Sequence, residues 1–174
     1  WAYDISNDSW SGLANTPEPI KIASGLAFAE GDVYAMRGDQ QKDFWKYNIT
    51  NNSWSSLADF PGKSDKSSSL EYNNDGYLYG IEGGENVLYK YNIASNAWSA
   101  TTVIPGGDKF DAGASLISDG NNIYAFQGKG TTNFFRYNVG SDTWTTMASP
   151  PGNIDSGADL GFDGTYIYAL QGIT

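Results

Sequence analysis

The sequence predicts an all-β protein: a β-propeller of four-stranded antiparallel blades, four blades per chain, with one blade completed by N- and C-terminal strands. Three observations carry this. A Tyr and a Trp seven residues apart recur at Tyr3 and Trp10, Tyr47 and Trp54, Tyr91 and Trp98, and Tyr137 and Trp144. A Tyr four residues ahead of a Gly recurs in the same phase, at Tyr34 and Gly38, Tyr79 and Gly83, Tyr124 and Gly128, and Tyr168 and Gly172. No window carries a sustained helical period with caps. The Trp residues of these pairs are 44, 44 and 46 positions apart, a period typical of repeat architectures.

Each unit reads as four short strands. The first is rich in Ala, Ser and Gly, as in 23–28 and 112–117, and small residues there let strands crowd around an axis. Turns such as Asp75-Gly76, Asp119-Gly120 and Asp163-Gly164 lead to the second strand, which carries the Tyr of the Tyr/Gly pair. The third strand follows the Gly, as in Phe134-Phe135-Arg136-Tyr137. Polar turns (Asn7-Asp8, Asn51-Asn52, Ser95-Asn96, Ser141-Asp142) then precede the Trp strand, because Asn, Asp and Gly tolerate positive φ. Pro-bearing loops close the units. One four-stranded sheet cannot bury both faces, whereas stacked sheets bury the recurring aromatics between them.

The whole of 1–174 reads as a single domain. Its repeats cover approximately 14–57, 58–101 and 102–147, with 148–174 plus 1–13 as the fourth. The chain opens with third and fourth strands and ends after a second strand, so the two ends together make one unit. It begins at Trp1 without Met and is read as a mature, processed or trimmed product.

Composition narrows the partners. Twenty acidic residues against ten basic give a net charge of −10, which disfavours nucleic acid, since phosphate binding needs clustered Lys and Arg. No apolar run approaches the roughly 18 residues of a membrane span. With no Cys there is no disulfide or thiolate site, and with no His the commonest metal ligand and general base are missing. A Ser-His-Asp triad is thereby excluded. Acceptor patterns for N-glycosylation at Asn7, Asn48 and Asn51, together with few Lys, favour an extracellular or cell-surface protein.

The order Gly, then Tyr, then Trp resembles the kelch repeat. Asn122-Ile123-Tyr124-Ala125-Phe126-Gln127-Gly128 and Phe135-Arg136-Tyr137-Asn138-Val139 are similar to its second and third strands. Two features depart from the kelch pattern: only Gly83-Gly84 keeps the double Gly, and the Arg after the Trp strand is missing. The resemblance implies a propeller that binds proteins or glycans through loops on one face. Kelch propellers usually have six to eight blades, which favours a homodimer closing an eight-bladed ring over a four-bladed monomer or a piece of a longer propeller. A copper oxidase of the galactose oxidase type would need His and a Cys-linked Tyr, and a sialidase would need three Arg where only Arg37 and Arg136 exist.

The expected function is therefore a non-catalytic module for protein–protein interaction or surface assembly, not an enzyme. A lectin-like glycan binder, with Trp45 or Phe110 as stacking platform, is the alternative. A carboxylate-based carbohydrate-active enzyme drawing on Asp108, Asp111, Asp155 and Asp159 is a third reading. No cofactor is expected; calcium is left open because Asp-rich loops offer oxygen ligands. The candidate binding residues are those just before each repeated Gly (Arg37, Glu82, Gln127 and Gln171), with Asp39, Lys66, Asp108 and Asp155 from loops on the same face.

Overall fold

The computed structural model describes residues 1–62 and 67–173. Among these residues, one turn of 3-10 helix at Pro105–Gly107 is the only helix, and all other regular elements are strands. An N-terminal hairpin pairs β1 (Ala2–Asp4) with β2 (Ser9–Ser11). The first four-stranded sheet comprises β3 (Gly25–Ala29), β4 (Asp32–Met36), β5 (Phe44–Asn48) and β6 (Ser53–Ser56). The second comprises β7 (Ser68–Tyr72), β8 (Tyr77–Glu82), β9 (Val87–Asn92) and β10 (Ala97–Val103). The third comprises β11 (Ser115–Ser118), β12 (Asn122–Phe126), β13 (Phe134–Asn138) and β14 (Thr143–Thr146). A C-terminal hairpin pairs β15 (Asp159–Phe162) with β16 (Ile167–Leu170). Every pairing is antiparallel and follows chain order, as in the blades of a propeller.

The repeated residues hold one register throughout. The residue before each second-strand Tyr lies opposite the third-strand Tyr: Val33 with Tyr47, Leu78 with Tyr91, Ile123 with Tyr137. Each third-strand Tyr in turn faces its Trp across the next ladder, as Tyr91 does Trp98. First strands start two or three residues later than their composition suggests. Ala23 has a left-handed φ of 56°, and Ala114 N–H closes a turn on Asp111 C=O at 2.8 Å, so the chain is still turning there.

Sheets stack through aromatic layers. Between the first and second, Trp98 lies 5.0 Å from Phe44 and 5.0 Å from Phe60, and Tyr91 meets Phe44 edge-on at 4.9 Å. Such pairs add roughly 0.5–1.5 kcal/mol each beyond area burial. Tyr79, Leu116, Ile123 and Tyr137 fill the layer between the second and third sheets. Among the described residues, Phe126, Ile154 and Leu160 are buried between the third sheet and β15–β16.

A polar staple repeats beside each aromatic layer. The Asn or Asp in the turn between the third and fourth strands is left-handed (φ 48°, 50° and 53° at Asn52, Asn96 and Asp142). Its Oδ1 accepts the Tyr hydroxyl of its own sheet at 2.8 Å in all three sheets. The same oxygen accepts the backbone N–H of Ala14, Ala58 or Thr102, in the linker from the preceding unit, at 2.7, 2.8 and 3.1 Å. The Trp Nε1 donates back to the carbonyl of that linker residue at 2.9, 3.1 and 2.9 Å. One residue is thus fixed at both its N–H and its C=O.

The terminal strands do not complete one sheet within the chain. β1–β2 and β15–β16 are separate two-stranded sheets, so a four-bladed ring within one chain is not formed. No helix among the described residues is long and apolar enough to cross a membrane.

Candidate functional site at the axial mouth

The first strands β3, β7, β11 and β15 neighbour one another in order and line the axis. Their leucines are equivalent, Leu26, Leu70, Leu116 and Leu160, and the latter three are buried against the preceding sheet. The residue before each leucine therefore projects the other way and reads Gly25, Ser69, Ser115 and Asp159. Ser69 Oγ accepts the Leu116 N–H at 3.1 Å, and Ser115 Oγ donates to Asp159 Oδ1 at 3.0 Å. Ser67 Oγ donates to the Ala114 carbonyl at 2.7 Å. Hydroxyls thus cross-link the inner strands where larger side chains would force them apart.

The starts of these strands enclose a depression of about 270 Å³, lined by Ser67, Ser68, Ser69, Ser115, Asp159 and small residues between them. The Ser68 hydroxyl is buried and finds no hydrogen-bond partner among the described residues. Further along β7, Glu71 borders a second depression of about 380 Å³ with Leu26, Phe28 and Tyr72. Burial, and secondarily the negative charge of Asp159, push the Glu71 carboxyl up to about 7. The axis thus combines hydroxyls with two carboxyl groups, that of Glu71 poised near neutrality.

The residues before the repeated Gly lie on this same face but reach inward. Arg37 donates to the Pro19 carbonyl at 3.3 Å and to Asp43 at 3.1 Å, and lies 3.6 Å from Glu18. Gln127 is buried, donates to the Lys109 carbonyl at 3.1 Å and accepts from Asn133 at 2.5 Å. Glu82 is buried, and its carboxylate lies so close to Gly62 that a Cβ there would sit 1.8 Å from Oε2. Gln171 is exposed and lies over Gly152. In each unit this side chain packs on the loop that precedes its own first strand.

The Gly beside it is required by the same clasp. Gly128 has φ +80°, and a Cβ would lie 2.3 Å from the Ala112 carbonyl oxygen. The remaining candidates are dispersed. Asp39 and Asp108 are exposed, and Asp155 Oδ1 accepts the Ser156 N–H at 2.7 Å. Lys66 lies outside the described residues. Among the described residues no three His, Cys, Asp or Glu side chains cluster to hold a metal ion.

Trp45 and Phe110 correct an expectation: at 2% and 0% exposure both belong to the core, and neither offers a sugar-stacking face. Sequence reasoning missed Ser67, Ser68, Ser69, Ser115 and Glu71 as site residues. Small residues in the first strand spoke for close packing, and the signal in them was the Gly, Ser, Ser, Asp series at one repeat position.

Stacked four-stranded sheets around a polar axis define a β-propeller-like repeat protein, here an open arc. The family model described as a repeat of unknown function (DUF6923) matches residues 9–171, and the chain belongs to that family. No curated protein matches it. Among solved structures, the structure of YjhT aligns with a TM-score of 0.74 and 19% identity, over 91% of this chain and 58% of that one. The chain therefore spans 58% of the length of that relative, and the likeness concerns the fold.

Proposed function

We propose that this chain is a non-catalytic binding module, kelch-like in its repeat, that receives a segment of a protein partner at the axial mouth. The observation that carries this is the depression lined by Ser67, Ser68, Ser69, Ser115 and Asp159. It draws on three successive units and contains a buried hydroxyl that finds no partner among the described residues. Two further features support a cationic group on the partner. Asp159 and Glu71 repel one another across the axis, and an inserted Lys or Arg relieves that repulsion. The net charge of −10 attracts a basic surface. The burial of Trp45 and Phe110 weighs against glycan stacking.

Fluorescence anisotropy with a short Lys- and Arg-bearing peptide tests the reading. Binding is expected, reduced about tenfold by Asp159→Asn at unchanged melting temperature, as for loss of one charge-assisted contact. Binding of neutral oligosaccharides instead of the peptide would favour the lectin-like reading. Turnover of glycosides would favour the carboxylate-based enzyme.

A further inference from the structure

One position of the first strands breaks the pattern of the repeat. Two residues after Gly25, Ser69, Ser115 and Asp159 the chain reads Ala27, Glu71, Ile117 and Gly161. Three units place an apolar side chain or none there, and the second unit places a carboxyl. The alternation that turns Leu70 toward the first sheet turns Glu71 the other way, to the same side as Ser69. β7 is flanked by β3 and β11, the first strands of complete sheets, so Glu71 is shielded by neighbours on both sides. A shielded carboxylate without a partner is destabilising, and strongly shifted groups cluster where a protein does its work.

Nothing among the described residues neutralises this group. No hydrogen bond or ion pair joins the Glu71 carboxyl to any of them. β3 and β11 bring no titratable side chain to it. On β8, Tyr79 stands opposite Glu71 in the ladder but gives its hydroxyl to Asp75 at 2.8 Å. Beyond the end of β3, Glu30 takes the Tyr72 hydroxyl at 3.1 Å, and beyond the end of β11, Asp119 takes the N–H groups of Asn121 and Asn122. β15 brings Asp159, whose charge adds to burial in raising the Glu71 carboxyl to about 7. Asp159 Oδ1 accepts both the Ser115 hydroxyl at 3.0 Å and the Leu160 N–H at 2.9 Å, which leaves Oδ2 for a ligand. Ser69 lines the mouth, and Glu71 follows about 7 Å further along the strand, roughly the length of an extended Lys or Arg side chain.

We infer that Glu71 makes the axial mouth release its partner in acid: a cationic side chain is held between Glu71 and Asp159 while Glu71 is charged, and is let go when Glu71 takes a proton. The inference rests on the binding role proposed above and adds its regulation. A Lys or Arg in the mouth replaces repulsion between two carboxylates with attraction to both, and so favours the charged form of Glu71. Binding therefore expels a proton wherever the free chain holds one on Glu71, and affinity rises with pH through that range. With the free carboxyl half-protonated near pH 7, roughly a tenth of free molecules are charged at pH 6 and roughly nine-tenths at pH 8. Apparent affinity follows that fraction, a difference of about tenfold.

Fluorescence anisotropy with an N-acetylated Lys- and Arg-bearing peptide, at pH 6, 7 and 8 and constant ionic strength, tests the release. The peptide itself does not titrate in that range. About tenfold tighter binding at pH 8 than at pH 6 is expected. Glu71→Gln copies the protonated form, so it is expected to fold and to bind weakly and equally at all three pH values. Carboxyl-carbon NMR of the free chain is expected to show Glu71 titrating near pH 7, and added peptide is expected to move that midpoint down by about one unit or more. Peptide binding that is flat from pH 6 to 8 in the unmodified chain overturns the inference and leaves the binding role standing. So does a pH dependence that persists in Glu71→Gln, or a Glu71 midpoint that the peptide does not move. Absence of binding even at pH 8 overturns the binding role and this inference together.

Discussion

The middle of the arc and its ends are built from the same residues in different surroundings. At the interface of the first two complete sheets, Tyr91 and Trp98 lie in a bed of Phe44, Phe60 and Tyr34, with the Trp N–H held by Ala58. At the N-terminal end, Tyr3 and Trp10 keep the same mutual contact, 5.1 Å between centroids as for Tyr91 and Trp98, with every residue of both strands exposed. The hairpin is therefore shaped by local pairing and turn chemistry, whereas burial is supplied by the neighbouring sheet. The repeat unit is a folding pattern, and the interface is the stabilising unit.

The largest test of that contrast is Trp98→Ala. Removing a ring packed on two Phe and bonded to the linker is expected to cost about 3 kcal/mol in urea denaturation. Trp10→Ala in the dilute single chain is expected to cost no more than about 0.5 kcal/mol. Equal costs would break the distinction. Next comes the clasp. Gly128→Ala places a Cβ 2.3 Å from a backbone oxygen at a left-handed φ and is expected to cost about 2–3 kcal/mol. Gly84→Ala, also left-handed but with open space around it, is expected to cost about 1 kcal/mol.

Smaller effects come from titration. The Glu71 carboxyl is raised to about 7 when folded and is near its ordinary value when unfolded. The native state therefore holds the extra proton between about pH 4.5 and 7, and stability falls as pH rises through that window. Glu71→Gln is expected to flatten this decline and to raise stability at pH 8 by about 1–2 kcal/mol, after allowing for partial solvent screening. The smallest effect separates one staple from its neighbours. Asp142 is held below its ordinary range, chiefly by the Thr102 N–H, where the other sheets use Asn52 and Asn96. Its contribution is present above the unfolded carboxylate value and is lost as acid protonates it in the folded state. Asp142→Asn is expected to remove that acid-limb loss, read as a flatter melting temperature between pH 4 and 2.

The repeat and its strand order were legible because the Tyr, Trp and Gly markers recur in phase and each has a structural duty. The site was less so. Arg37, Glu82, Gln127 and Gln171 are polar and differ between units, which reads as a binding surface. All four also hold or crowd the loop before their own first strand, a contact 18 residues away in sequence for Arg37 and Gln127. Pairing at that distance has no local periodicity to announce it. Ser69 and Ser115 were hidden differently. In a Ser- and Gly-rich strand, close packing accounts for the composition, and only the alternation set by the buried leucines turns these hydroxyls toward the axis.

The staple joins each linker only to the unit that follows it. Stress on one such joint passes to the next neighbour and no further, so loss of structure should travel inward from the ends, sheet by sheet, as in a row of linked elements. Amide hydrogen exchange should accordingly be fastest in both terminal hairpins and slowest around Leu78 and Tyr91, leaving the middle of the arc as the last part to melt.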